Sequence, residues 1–107
     1  MTKKTDLQIS EAALQSVCDE RAREINEEGY TRAHDDEHVN GQLATAAISY
    51  VGYALRLLAE PPQYFSIEHL IDVAPWPIRA KLDQRDCLVK AAALIVAEIE
   101  RLDRAAQ

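Results

Sequence analysis

Apolar side chains recur about once per turn in three stretches of this chain, and no period-two run is strong enough to suggest a sheet. The first stretch predicts a helix from Ser10 to about Glu28, with Leu14, Val17, Cys18 and Ile25 on one face. Ser10 is placed to cap it, Glu11 suits its first turn, and Gly29 is the residue that stops it. A second helix is expected to begin around Glu37, capped by Asp35 or Asp36. Val39, Leu43, Ala46, Ala47, Tyr50, Ala54, Leu57 and Leu58 then continue one broad face to about Glu60. Its small residues, among them Gly41, Ala44, Ser49 and Gly52, would let another helix approach closely.

Pro61-Pro62 ends that helix, because proline lacks the amide hydrogen and clashes with the preceding turn. Ser66 can cap a short turn through Ile71. Val73 to Ile78 reads as extended, each proline driving its predecessor away from helical backbone, and the Trp76 indole between Pro75 and Pro77 is expected to cover the open end of the core. The last helix starts between Asp83 and Asp86 and runs to about Arg104, with Leu88, Ala91, Ala92, Ile95, Ile99 and Leu102 as its core stripe. Asp86 with Lys90, and Glu100 with Arg104, are spaced as helical ion pairs. The expected fold is therefore all-α: an antiparallel helical bundle of three long helices, plus a short helix and a Pro-Trp-Pro strap. Residues 1–9 form a polar, frayed start, and residues 10–107 form one domain.

One interruption of the pattern is informative. At about 100° per residue, Leu14, Val17, Arg21, Ile25 and Glu28 share roughly 80° of arc, with Glu24 at its edge. A charge on a core-facing stripe must be paired, hydrogen-bonded or metal-bound, because removing its water is costly. Pairing of Arg21 with a carboxylate at a helix seam is the plain expectation. A polar pocket that includes Arg21 and Trp76 is the functional alternative.

Charge narrows the partners. The 107 residues carry 12 Lys and Arg against 18 Asp and Glu, a formal net charge of -6, with no basic stripe for a bare nucleic-acid backbone. A metal-complexed nucleotide remains compatible, since a bound cation reverses the local field. The two cysteines, Cys18 and Cys87, read as reduced thiols, and Cys18 beside the apolar face reads as buried. With no apolar run long enough to span a bilayer and no leader-like segment at Met1 to Ser10, the expectation is a cytoplasmic protein without membrane association.

The chemistry-bearing residues cluster at His34-Asp35-Asp36-Glu37-His38. His34 and His38 would share a face if both were helical, and Asp35 and His38 could face each other across a first turn. The run lacks the Glu that follows the first histidine in the zinc-protease motif, so that reading is set aside. Glu24 and Glu28 lie one turn apart near the end of the first helix, and a reversal at Gly29 would bring them towards Asp35, Asp36 and His38, with Glu98 of the last helix completing the set. Such oxygen-rich ligands suit magnesium, or manganese if an imidazole takes part.

The run from Glu20-Arg21-Ala22-Arg23-Glu24 through Glu28-Gly29-Tyr30-Thr31, His34 to His38 and Gly41-Gln42-Leu43-Ala44, joined by Trp76-Pro77 and Leu88-Val89-Lys90-Ala91 through Glu98-Ile99, resembles a small bacterial and prophage-associated helical family. That resemblance implies a shared compact helical domain and no named reaction. The chain is also loosely similar to all-alpha nucleoside triphosphate pyrophosphatases of the MazG kind, whose helix-borne carboxylates use magnesium. Glu24 with Glu28 and Asp35 with Asp36 approach their acidic motifs, and Asn40 of Glu37-x-x-Asn40 stands where the second motif has Asp. The resemblance implies binding or hydrolysis of a metal-complexed nucleotide. The alternative is a non-enzymatic protein whose Ala-rich second and third long helices present a homodimer or partner face.

Overall fold

A computed structural model of the chain describes residues 9–78 and 82–107. It is all-α. Five helices follow in order, α1 (Glu11–Glu28), α2 (Arg32–Asp36), α3 (Gln42–Arg56), α4 (Ile67–Asp72) and α5 (Gln84–Ala105), and no strand occurs among the described residues. Of the frayed start expected over residues 1–9, residues 1–8 lie outside the described residues.

Capping side chains set most of the boundaries. Ser10 Oγ accepts from the Ala13 amide, Ser66 from that of His69 and Asp83 from that of Asp86, each satisfying an otherwise unpaired amide of a first turn. Gly29 closes α1 at φ 74°, where a Cβ would be strained. The region expected to start one long second helix is divided instead. Thr31, rather than Asp35 or Asp36, caps the separate short helix α2, and Gly41 at φ 80° reverses the chain before α3 begins.

α5 is the central element, with α1, α2 and α3 packed on it and α4 packed on α3. Gln84 at the start of α5 bonds the carbonyl of Ala54 near the end of α3, so α3 and α5 run antiparallel. α1 completes the expected alternation. Arg85 bonds Ser16, Lys90 bonds Glu20, and Glu100 accepts from Arg21, so positions on α1 and α5 rise together and the two helices run in the same sense. α3 therefore runs against both, the up-down-up order of an antiparallel three-helix arrangement.

The core lies between α3 and α5: Leu43, Ala46, Ala47, Ala91, Leu94 and Ala97, with Tyr30, Tyr50, Val51 and Trp76 against it. Small side chains bring the two axes close, and Trp76 packs on the cluster. The close approach expected of the glycine and alanines is made to α4: a Cβ on Gly52 would stand 3.0 Å from both Ile71 and Leu70. Ser49 Oγ, buried there, lies 3.1 Å from the carbonyls of both Leu70 and Ile71.

The phase of two stripes differs from expectation. On α5 the buried positions are Cys87, Ala91, Ala93, Leu94 and Ala97, whereas Leu88, Ile95, Ile99 and Leu102 are each about half exposed. On α1 the buried residues are Arg21 and Glu24, while Leu14, Ile25 and Cys18 face solvent. Among the described residues no helix is long and apolar enough to cross a membrane.

Candidate functional site

The inward face of α1 is ionic. Glu20, Arg21 and Glu24 fall on the side turned to α5, and each meets charge there. Glu20 accepts from Arg23 and from Lys90 of α5, both at 2.7–2.9 Å. Burial works to raise the Glu20 pKa, but those hydrogen bonds and cations outweigh it and hold the pKa below its ordinary value. Its negative charge is therefore fixed one helical turn from Glu24.

Glu24 is the anomaly. It is 3% exposed, and its Oε1 is buried without a hydrogen-bond partner. Burial and the neighbouring Glu20 charge push its pKa up to about 8, against the opposing pull of Arg21 and Lys90. A proton is therefore retained on Glu24 at neutral pH. Across α5, the half-buried Tyr50 of α3 senses Tyr30, Glu28, Glu24 and Glu20, and burial followed by these groups raises its pKa. Burial, then the charges of Glu28, Glu24 and Asp35, push Tyr30 up to about 12.

At the Gly29 end the chain ties a second knot. Arg21 is 8% exposed; its Nη2 donates to Asp35 at 2.8 Å, its Nη1 to the Tyr30 carbonyl at 3.1 Å and its Nε to Glu100 at 3.1 Å. Asp35 has no exposed surface, and its second oxygen lies 2.8 Å from His34 Nδ1. The His34 ring stacks on Tyr30 at 4.5 Å with 3° between planes, His38 follows at 4.4 Å, and Trp76 sets its edge against all three rings. The expected seam pairing of Arg21 is thus present. The same guanidinium orders α2, the Gly29 turn and the end of α5.

Four of the six candidate metal ligands are held by arginines. Glu28 accepts from Arg23 at 2.6 Å, Asp35 from Arg21, Asp36 from Arg104 of α5 at 2.7 Å, and Glu98 from Arg101 at 2.7 Å. The hydrogen bond of His38 Nδ1 runs to the His34 carbonyl at 2.6 Å rather than to Asp35. A depression of about 190 Å³ is lined by Asp36, Val39, Arg101, Arg104 and Ala105, with Asp36 already paired. Among the described residues no three His, Cys, Asp or Glu side chains form a ready-made metal group. Glu24 alone of the six keeps a carboxylate oxygen that is buried and unpartnered.

Three contributors were not singled out as site residues from the sequence. Glu20 is legible in hindsight from its i,i+4 spacing to Glu24. Lys90 was expected to pair with Asp86 on its own helix and instead pairs with Glu20, and Glu100 pairs with Arg21 rather than with Arg104. No local spacing signals a partner on another helix. Compared with known proteins, the chain matches no family model, no curated protein and no solved structure.

Proposed function

We propose that the chain binds a nucleotide as its divalent-metal complex, with Glu24 and Glu20 of α1 as the acidic wall and Tyr50, Tyr30 and Trp76 as the aromatic one. The observation that carries this reading is the unpartnered oxygen of buried Glu24. Stripping a carboxylate of water without a partner is costly, and a cation entering beside it would supply the missing interaction. Magnesium is commonly held by one or two carboxylates, its remaining positions taken by water and phosphate oxygens, so two glutamates are a sufficient protein contribution. Asp35, Asp36 and Glu98 would each have to abandon an arginine first, and Glu20 would likewise have to release Arg23 or Lys90, so Glu24 is the primary ligand and Glu20 the one it recruits.

The chain's own residues have separable parts. Glu24 gives up a proton as it takes the cation, because a ligand carboxylate must be ionised. Glu20 is already charged and approaches from one turn away. Lys90, paired with Glu20 at 2.8 Å, would turn to balance phosphate charge, and a base would stack against the half-buried rings, of which Tyr30 already stacks on His34. A bound magnesium ion would neutralise phosphate oxygens and polarise the phosphorus centre. Since Glu24 is closed to solvent, entry requires the side chains over it to move.

Calorimetric titration with Mn²⁺ at pH 7, with and without a non-hydrolysable nucleoside triphosphate, tests this. Binding to one site per chain is expected, with close to one proton released per ion when two buffers of different ionisation enthalpy are compared. Glu24→Gln should abolish both the binding and the proton release while leaving the helical spectrum unchanged. Absence of binding in the unaltered chain, or unaltered binding in a folded Glu24→Gln variant, would sink the reading.

A further inference from the structure

The opposite side of the molecule carries a feature left without a partner among the described residues. Leu88, Ala92, Ile95, Ile99 and Leu102 are spaced 4, 3, 4 and 3 apart along α5. This is the a/d seam of a coiled coil, and at ~100° per residue its four large side chains fall within about 60° of arc. Leu88, Ile95, Ile99 and Leu102 are 47%, 46%, 52% and 52% exposed. The core of the chain uses a different arc of the same helix, through Cys87, Leu94 and Ala97.

α3 repeats the pattern. Ala44, Ile48, Val51 and Leu55 are spaced 4, 3 and 4 apart; Ile48 is 43% exposed, and the other three are half-buried. On each helix the seam lies about a quarter turn onward, in the same rotational sense, from the residues that join α3 to α5. Because these two helices are antiparallel, equal rotations place both seams on the same side of the pair. Two adjacent helices thus present one continuous aliphatic face, turned away from the carboxylates of α1.

We propose that this face is the interface between two copies of the chain, the α3 and α5 pairs closing face to face into a four-helix bundle. The five large side chains expose roughly 400 Å² between them, already within the ~300–600 Å² of the largest patch on a typical monomer. Ala44, Val51, Leu55 and Ala92, each partly exposed, extend the face towards the ~600 Å² per partner at the lower end of specific interfaces. The seams contain no charged side chain, so the occupant need bring no complementary charge. A surface of this kind matches itself about a two-fold axis, whereas its two parallel rows of a/d knobs match nothing flat. Two acidic copies repel weakly, and added salt should therefore tighten the pair.

Sedimentation equilibrium on the full chain from micromolar to near-millimolar concentration is the test. The unaltered chain, 12.0 kDa as one copy, is expected to sediment at twice that mass. The double variant Ile95→Glu/Ile99→Glu should sediment as one copy with its helical circular dichroism retained, since both positions are outside the core. Leu14→Glu, exposed on α1 away from the seams, should leave the doubled mass unchanged. A single-copy mass for the unaltered chain at all concentrations would overturn the proposal. A doubled mass that persists in Ile95→Glu/Ile99→Glu would also overturn it, because another surface would then hold the copies together.

Discussion

Neighbouring aspartates on α2 show how burial decides what an ion pair contributes. Asp35 and Arg21 are both buried, whereas the side chain of Asp36 is half exposed opposite Arg104. Removing one partner of a buried pair leaves an uncompensated charge at a cost of about 3–5 kcal/mol, while an exposed pair contributes at most ~1 kcal/mol. Asp35→Ala is therefore expected to lower stability by about 3–5 kcal/mol and Asp36→Ala by no more than about 1 kcal/mol, read as urea midpoints; equal losses would contradict the assignment. Glu24 acts in the opposite direction. Its folded pKa lies near 8, well above the ordinary value of 4.5, so the folded state holds a proton that the unfolded chain releases. The associated stability is present in full below about pH 4.5 and is lost as pH rises towards 8, at no more than about 1.4 kcal/mol per pH unit. In Glu24→Gln that part of the pH dependence should vanish, making the variant the more stable protein at pH 8 in chemical denaturation.

Between elements, contact is set by what small residues permit. α4 reaches α3 only because Gly52 has no side chain, with Ile71 and Leu70 in the space a Cβ would need. An alanine there would gain up to ~1 kcal/mol of helix propensity in isolation. Yet its Cβ would also meet the Ile71 backbone nitrogen at 3.2 Å, and backbone yields less readily than a side-chain end. Overpacking of this kind costs about 1–3 kcal/mol, so Gly52→Ala should destabilise the fold by about 1–2 kcal/mol net in thermal or urea unfolding. A gain in stability would show that α4 can move aside. The capping residues, by contrast, act locally: Ser10, Ser66 and Asp83 mark helix starts whatever lies across the core, which is why those boundaries could be read in advance.

At the scale of the molecule, α5 is shared between two opposite tasks. One arc holds α1, α2 and α3, and the other offers the aliphatic seam. The periodicity of Leu88, Ile95, Ile99 and Leu102 announced an apolar face, but periodicity has no sign: it cannot distinguish a face sheltered by the same chain from one turned outward. Local chemistry was thus sufficient for the all-α class, for α1, α4 and α5 with their caps, for the stop at Gly29, and for the demand that Arg21 find a carboxylate. Those features depend on residues within about one turn of each other, whose geometry the backbone imposes. Tertiary packing alone decided that Asp35 answers Arg21, that Lys90 turns to Glu20, and that Glu24 Oε1 loses its water without gaining a hydrogen-bond partner. Each of these is a choice among distant groups of similar chemistry, settled by which helices approach and how closely, and no spacing along a single helix encodes that distance.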